Sequence, residues 1–134
     1  MSSDIAWQII RNNSSFLKTR KNVPKKFSTE KFNLMSVNSQ RFNGLINDKA
    51  IDIQITGDGK SLKISTKSKQ VQKPASSVHT TTVRGNNPRA ALRKVARIAK
   101  GYKSVAGQPA QRRASQLLRS LKTHKSTKKT GKAE

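Results

Sequence analysis

The sequence predicts an α+β fold: a small antiparallel sheet covered by an N-terminal helix, followed by two basic amphipathic helices and a basic tail. Residues 51–66 alternate apolar and polar side chains on both sides of a G-D-G turn, which is typical of a β-hairpin. Residues 87–101 and 109–122 each separate apolar from cationic side chains at helical spacing. These patterns divide the chain into a small α+β domain (1–83), a basic helical hairpin (84–122) and a basic tail (123–134).

Positive charge is concentrated in the C-terminal part. The 134 residues carry a net charge of +23, and 32% of them are hydrophobic, below the roughly 45–50% of an average globular domain. Residues 59–133 hold 20 of the 29 Lys and Arg and no acidic residue. We therefore expect the N-terminal part to fold by itself, part of the chain to order on a partner, and the C-terminal part to bind phosphate.

A short first helix is predicted over residues 4–13. Ser3 can cap it, and the negative charge of Asp4 suits its first turn. Trp7 lies in a broad apolar arc and is interpreted as a core residue rather than a base-stacking one. Residues 18–26, which include Pro24, are predicted to form a basic loop.

The predicted sheet begins with two short candidate strands, residues 27–30 and 32–37. Residues 41–46 (R-F-N-G-L-I) are a stronger candidate, with Asn43 and Gly44 as a bulge or tight turn. In the hairpin, Ile51, Ile53 and Ile55 are expected to point inward, and residues 61–66 to form the returning strand. Residues 76–83 are β-branched and can add a further strand.

Helix signals stand at both ends of residues 87–101. Asn87 is a suitable N-cap, Pro88 falls at the first helical position, and Gly101 falls where a left-handed C-terminal residue belongs.

Arginines stand one above the next along this helix. Arg89, Arg93 and Arg97 are spaced at i, i+4 and i+8, and no acidic residue is near to relieve their repulsion. This pattern predicts one helix face on a core and the other on a polyanion. A solvated charged face or a membrane-surface helix would look similar, but the apolar side is mostly Ala and has no Trp or Phe to anchor it in a bilayer.

A second basic helix is predicted from Pro109 to about residue 122, packed against the first as an αα-hairpin. Its apolar stripe consists of Ala110, Ala114, Leu117, Leu118 and Leu121. Residues 124–134 contain no large apolar residue and are expected to be disordered when free.

Several functional classes find no support in the sequence. The chain has no Cys and two separated His, so neither a metal nor a cofactor is predicted. No apolar run approaches the roughly 20 residues that span a bilayer, and the N-terminus does not have the pattern of a signal peptide. The six acidic residues have no recognisable catalytic partner, and G-D-G-K at residues 57–60 lacks phosphate-loop spacing, so no enzyme is predicted.

RNA binding is the function that the charge pattern favours. Arg and Lys on phosphates release counterions and give affinity with little sequence selectivity. Because aromatic RNA-recognition motifs, zinc fingers and zippers are missing, shape recognition of folded RNA fits best. The predicted RNA-binding residues are Arg41, Arg84, Arg89, Arg93, Lys94, Arg97, Lys100, Arg112, Arg113, Arg119, Lys125, Lys128 and Lys129.

Several short segments, taken in their order along the chain, resemble those of a known protein family. They are W-Q-I-I-R-N-N-S-S-F-L (7–17), S-T-E (28–30), N-L (33–34), R-F-N-G-L-I (41–46), K-P-A (73–75), T-T (81–82), R-R-A-S (112–115) and L-R-S (118–120). Over roughly residues 1–122 the chain resembles the eukaryote-specific large-subunit ribosomal protein family numbered twenty-eight, which is unrelated to the bacterial protein of that number. It departs from the family at Asn13, where Cys is expected, at residues 107–109 and in the tail.

The resemblance implies a structural protein of the cytosolic large subunit, bound to ribosomal RNA near the solvent side and passing through the nucleolus during assembly. The expected partners are this RNA and neighbouring ribosomal proteins, with no membrane, no small-molecule substrate and no homo-oligomer. The alternatives are a nucleolar ribosome-assembly factor, a general RNA-binding protein outside the ribosome, an enzyme acting on RNA, and a general polyanion or membrane binder. A similar assembly-factor family carries cysteines and a long acidic C-terminal extension, both missing from this sequence.

Overall fold

The computed structural model describes residues 2–68, 73 and 76–121. In these residues, two antiparallel sheets and three α-helices confirm the α+β class. The strands are β1 (Leu17–Arg20), β2 (Val23–Ser28), β3 (Ile51–Ile55), β4 (Ser61–Lys67) and β5 (Val78–Arg84). The helices are α1 (Ser3–Ile10), α2 (Pro88–Tyr102) and α3 (Gly107–Ser120).

A three-stranded sheet in the order β3-β4-β5 forms the centre of the structure. The predicted hairpin is confirmed: Ile53 pairs with Ile64, and both side chains are almost fully buried. Gly59 adopts a φ of 66° in the connecting turn, a conformation that glycine adopts without steric cost. The predicted additional strand is confirmed as β5, which pairs antiparallel with β4.

Helices α2 and α3 pack on this sheet as the predicted αα-hairpin and share its hydrophobic core. Each helix buries two alanines and one larger aliphatic side chain at four-residue spacing, and the alanines let the two backbones approach closely. The buried helix residues are Ala91, Val95, Ala99, Ala110, Ala114 and Leu118. Core residues therefore come from both sides of the predicted boundary between residues 83 and 84, and the division into domains stays a prediction.

Helix α1 differs from the sequence prediction in its position and length. It contributes no buried residue, so the core face of the sheet is covered by α2 and α3 instead. Its Ile5 and Ile9 side chains are 58% and 63% exposed, and Trp7 is half-buried. The helix begins at Ser3 after Ser2, whose side chain makes no capping bond, and it ends at Ile10.

Polar contacts attach α1 to the loop of residues 29–50. Gln40 Nε2 donates to Asp4 Oδ1 at 2.5 Å, and Asn38 Nδ2 donates to the Arg11 carbonyl at 2.8 Å. These bonds hold the helix beside the loop rather than over the sheet.

The predicted basic loop of residues 18–26 is wrong: these residues belong to a second hairpin, β1–β2. Asn22 adopts a φ of 64° at the turn, a conformation that Asn tolerates better than most residues. Pro24 is compatible with β2 because a two-stranded hairpin leaves one edge of each strand unpaired. Phe27 and Ser28 end β2, so part of the candidate strand at residues 27–30 is present.

The strands predicted at residues 32–37 and 41–46 are absent, although the N-G turn is confirmed; an isolated bridge joins Val37 to Phe27. Asn43 Oδ1 accepts hydrogen bonds from the backbone N–H groups of Leu45 and Ile46, at 2.9 and 3.0 Å. This side chain thus satisfies donors that a strand would pair with a neighbour. Gly44 is needed because an added Cβ would lie 2.3 Å from the Lys31 carbonyl oxygen.

Further hydrogen bonds fix this loop to the sheet and to α2. Asn47 Nδ2 donates to the Gln40 and Asn43 carbonyls at 2.8 and 2.7 Å. Lys67 Nζ donates to the Gly44 and Asn47 carbonyls at 3.3 and 3.2 Å, and the Tyr102 hydroxyl donates to the Lys67 carbonyl.

The boundaries of α2 are partly as predicted. Asn87 Oδ1 accepts from the Ala90 N–H at 3.4 Å, and Pro88 is the first helical residue, so the N-terminal signals are confirmed. Gly101 remains helical, and the left-handed C-terminal residue predicted there is wrong. The helix continues to Tyr102 and is followed by a 3-10 turn, Ser104–Ala106.

Helix α3 begins at Gly107, two residues earlier than predicted, because the 3-10 turn leads directly into it. Pro109 is tolerated in its first turn, where backbone N–H groups have no helical acceptor. The predicted disorder of residues 124–134 lies outside the described residues.

Val95→Asp is expected to destabilise the fold by about 4 kcal/mol or more, because Val95 is fully buried between the helices and the sheet and the substitution would place a carboxylate in the apolar core. Urea unfolding followed by circular dichroism measures this change. The matched control is Lys94→Asp on the exposed face, which should cost less than about 1 kcal/mol. Equal stabilities for the two variants would contradict the assigned core face.

Gly44→Ala is expected to destabilise the protein by about 1–3 kcal/mol, because the new Cβ would overlap the backbone of Lys31 and Phe32. Gly101→Ala is the control: its Cβ would meet nothing within 4 Å and the residue is helical, so stability should rise by about 0.5–1 kcal/mol. Thermal unfolding of both variants measures the difference. A Gly44→Ala protein as stable as the unmodified chain would contradict the close contact.

Candidate nucleic-acid interface

The exposed face of α2 carries the arginine row, which consists of Arg89, Arg93 and Arg97. All three side chains are exposed, and the residues two positions after each of them, Ala91, Val95 and Ala99, are buried. Within the described part of the chain, none of the three has a hydrogen-bond acceptor or an acidic partner. The row therefore presents positive charge that the described protein residues do not neutralise.

The other predicted cations among the described residues are also exposed or partly exposed. Lys94 and Lys100 extend the charge along α2, and Arg84 ends β5. On α3, Arg112 and Arg119 are exposed and Arg113 is half-buried. Lys125, Lys128 and Lys129 lie outside the described residues.

A groove at the corner between α2, the 3-10 turn and α3 joins cations from three separate segments. We call this groove, of about 570 Å³, the corner groove. Arg41 reaches it from the loop of residues 29–50, Lys100 from the end of α2, and Arg112 from α3. Among the described residues, no Asp or Glu lines it. The structure thus brings together three predicted residues that are up to 71 positions apart in the chain.

The neighbourhood of Arg41 concentrates positive charge further. The Arg41 guanidinium lies over the Phe42 ring, with its carbon 5.6 Å from the ring centre. Lys103, which is half-buried beside the groove, donates from Nζ to the Lys49 carbonyl at 3.4 Å. Burial and the positive charge of Arg41 lower the pKa of Lys103. An anion placed beside Arg41 would relieve this repulsion.

A second basic surface lies between the β1–β2 hairpin and the sheet. This hairpin groove, of about 840 Å³, is lined by Lys18, Arg20, Lys31 and Arg113, but also by the carboxylates of Glu30 and Asp52. Arg112 and Arg113, adjacent in sequence, therefore line different grooves.

Four cations in or beside these grooves are absent from the residues predicted from the sequence: Lys18, Arg20, Lys31 and Lys103. The i, i+2 spacing of Lys18 and Arg20 places both on one face of a strand. This spacing could have indicated a shared basic surface. Lys103 had no sequence signal, because only the tertiary structure places it beside Arg41.

The acidic residues of the hairpin groove have structural contacts. Glu30 is buried, and its Oε1 accepts from Asn33 Nδ2 at 2.8 Å, while Asp52 Oδ2 accepts from Gln54 Nε2 at 2.8 Å. In the described residues, no three His, Asp or Glu side chains converge on a possible metal position. The same residues include no helix with the length and apolar character of a membrane span.

Comparison with known proteins points to one family. The sequence profile of the Ribosomal L28e protein family matches residues 5–120. The chain is 43% identical over 120 residues to the large ribosomal subunit protein eL28 of Caenorhabditis elegans, covering 90% of each chain. It is 34% identical over 129 residues to the protein of that name from Schizosaccharomyces pombe, covering 93% of this chain and 96% of the relative. The Dictyostelium discoideum protein of that name is 35% identical over 102 residues, covering 76% and 75%.

Replacing the three arginines of the row by Gln is expected to weaken binding to folded RNA and to flatten its salt dependence. Each lost phosphate contact removes about 0.7–0.9 from the slope of log K against log salt, so the slope should fall by about 2–3. Fluorescence anisotropy titrations over a series of salt concentrations measure this slope.

The control variant carries Lys60→Gln, Lys63→Gln and Lys73→Gln, which remove the same charge from exposed positions outside the predicted RNA-binding residues. Its slope should stay close to that of the unmodified chain. If the arginine variant keeps the full slope, the row faces solvent in the complex.

Proposed function

The chain belongs to the ribosomal L28e protein family, and on that basis we propose that folded ribosomal RNA holds it in the large subunit through the basic faces of α2 and α3. The family consists of structural ribosomal proteins and not of enzymes. The chain is accordingly a structural constituent of the large subunit of the eukaryotic cytosolic ribosome.

The observation that carries the proposed RNA contact is the unneutralised arginine row. Like charges at four-residue spacing destabilise a free helix by a few tenths of a kcal/mol per pair, and the described residues offer them no acidic partner. Phosphates would remove this repulsion and release counterions at the same time. Arg also suits the geometry of a phosphate group, to which it can donate two parallel hydrogen bonds.

The geometry of this row favours recognition of the shape of folded RNA over recognition of its base sequence. The row is straight and rigid, because the opposite face of α2 is fixed in the core by Ala91, Val95 and Ala99. Such a row can follow a line of phosphates on folded RNA. Arg84, Arg112 and Arg119 would add contacts from neighbouring elements.

The further parts of the proposal concern partners and location. The protein acts as a single copy beside neighbouring ribosomal proteins, without a membrane or a small-molecule substrate. It enters precursor particles in the nucleolus and stays in the finished subunit. A nucleolar assembly factor would share the first step but would leave before translation.

Sedimentation of cell extract on sucrose gradients tests the proposed function. The tagged chain is expected in large subunits and in translating polysomes, and it should stay with the large subunit when magnesium is removed and the subunits separate. The arginine-row variant should shift partly to the top of the gradient, whereas the Lys60, Lys63 and Lys73 variant should not. A chain found at the top of the gradient, or on precursor particles but not on polysomes, would contradict the proposal.

A further inference from the structure

We propose that the corner groove binds one unpaired nucleotide of the RNA, with its base on the apolar floor and its phosphate among Arg41, Lys100 and Arg112. This inference rests on the proposed function, because it assumes that RNA lies along the helices. It adds a contact of a different kind: the arginine row would follow phosphates, while the corner groove would receive a base.

The floor of the groove suits an aromatic ring. Met35, Phe42 and Val105 supply apolar lining to the groove, and Val105 is 47% exposed although it is a large apolar residue. The Arg41 guanidinium, a flat group, already lies over the Phe42 ring. A nucleobase is also flat and polarisable, and it can stack on the aromatic ring or on the guanidinium. The volume of about 570 Å³ lies within the roughly 300–1,000 Å³ of small-ligand pockets.

The rim of the groove suits a phosphate and the edge of a base. Arg41, Lys100 and Arg112 supply positive charge from three segments of the chain, and the exposed Gln108 and Gln111 supply amide donors and acceptors. Burial first, and then the positive charge of Arg41, lower the pKa of nearby Lys103. In the hairpin groove, by contrast, Glu30 and Asp52 would repel a phosphate.

Only an unpaired nucleotide can use both features. In a duplex the base faces are covered by stacking, so a helix of RNA could contact the rim but could not place a ring on Phe42. A bulged or looped nucleotide exposes its base face and brings its own phosphate to the rim. The groove therefore distinguishes between paired and unpaired RNA without a pattern of base-edge contacts.

The test compares two short RNA hairpins that bind the full-length chain: one with a single bulged 2-aminopurine, the other with the same base paired to uridine. Stacking of one base is worth about 1–3 kcal/mol, so the chain should prefer the bulged hairpin by about tenfold, with a change in 2-aminopurine fluorescence on binding. Adenosine 5′-monophosphate at the same concentration should not compete; if it does, the assignment to RNA is wrong.

Phe42→Leu should lose this preference and the fluorescence change while keeping its affinity for the paired hairpin. Because Phe42 is half-buried, Val105→Glu is the second variant; its exposed position avoids a folding defect, and its carboxylate should oppose the phosphate. Lys63→Gln, which is exposed and lies outside both the groove and the predicted RNA-binding residues, is the control and should keep the tenfold preference.

The two proposals fail in different ways. Equal affinity of the unmodified chain for both hairpins, or a preference that survives Phe42→Leu or Val105→Glu, would overturn the corner-groove inference even if the chain sediments with large subunits. Loss of sedimentation with the subunits would overturn the proposed function, even if the preference for the bulged hairpin is found.

Discussion

The contact between the alanine-rich buried stripes of α2 and α3 and the three-stranded sheet determines the rest of the surface. Ala91, Val95 and Ala99 occupy one side of α2, so the arginines of the row must occupy the other. Alanine contributes little apolar area, but it allows the two helices to pack closely and rigidly. The chain thereby fixes a line of charge with a small core, which agrees with its low content of hydrophobic residues.

Electrostatics and stability oppose each other in this protein. A net charge of +23 on 134 residues destabilises the compact state through self-repulsion, and the acid-free C-terminal part has no internal counterion. In the proposed site, phosphate supplies the missing negative charge. A structural protein of a ribonucleoprotein can therefore carry a charge distribution that a free protein would not tolerate equally well.

In the loop of residues 29–50, polar side chains take the place of the backbone hydrogen bonds that pairing between strands would supply. Asn43 and Asn47 satisfy backbone groups that a strand would pair, and Lys67 and Tyr102 connect the loop to the sheet and α2. This arrangement places Arg41 next to the end of α2, although it precedes that helix by more than 45 residues. Helix α1, held by Gln40 and Asn38, stays outside the core for the same reason.

Local signals in the sequence determined the β3–β4 hairpin, the start of α2 at Asn87 and Pro88, the two apolar stripes and the arginine row, because periodicity and capping act over a few residues. Only the tertiary structure decided which elements meet. Residues 41–46 form a loop in which the Asn43 side chain accepts backbone hydrogen bonds. Helices α2 and α3, and not α1, cover the core face of the sheet, and Arg112 and Arg113 line different grooves. These outcomes depend on packing and on hydrogen bonds between residues that are distant in the chain, and no local pattern encodes them.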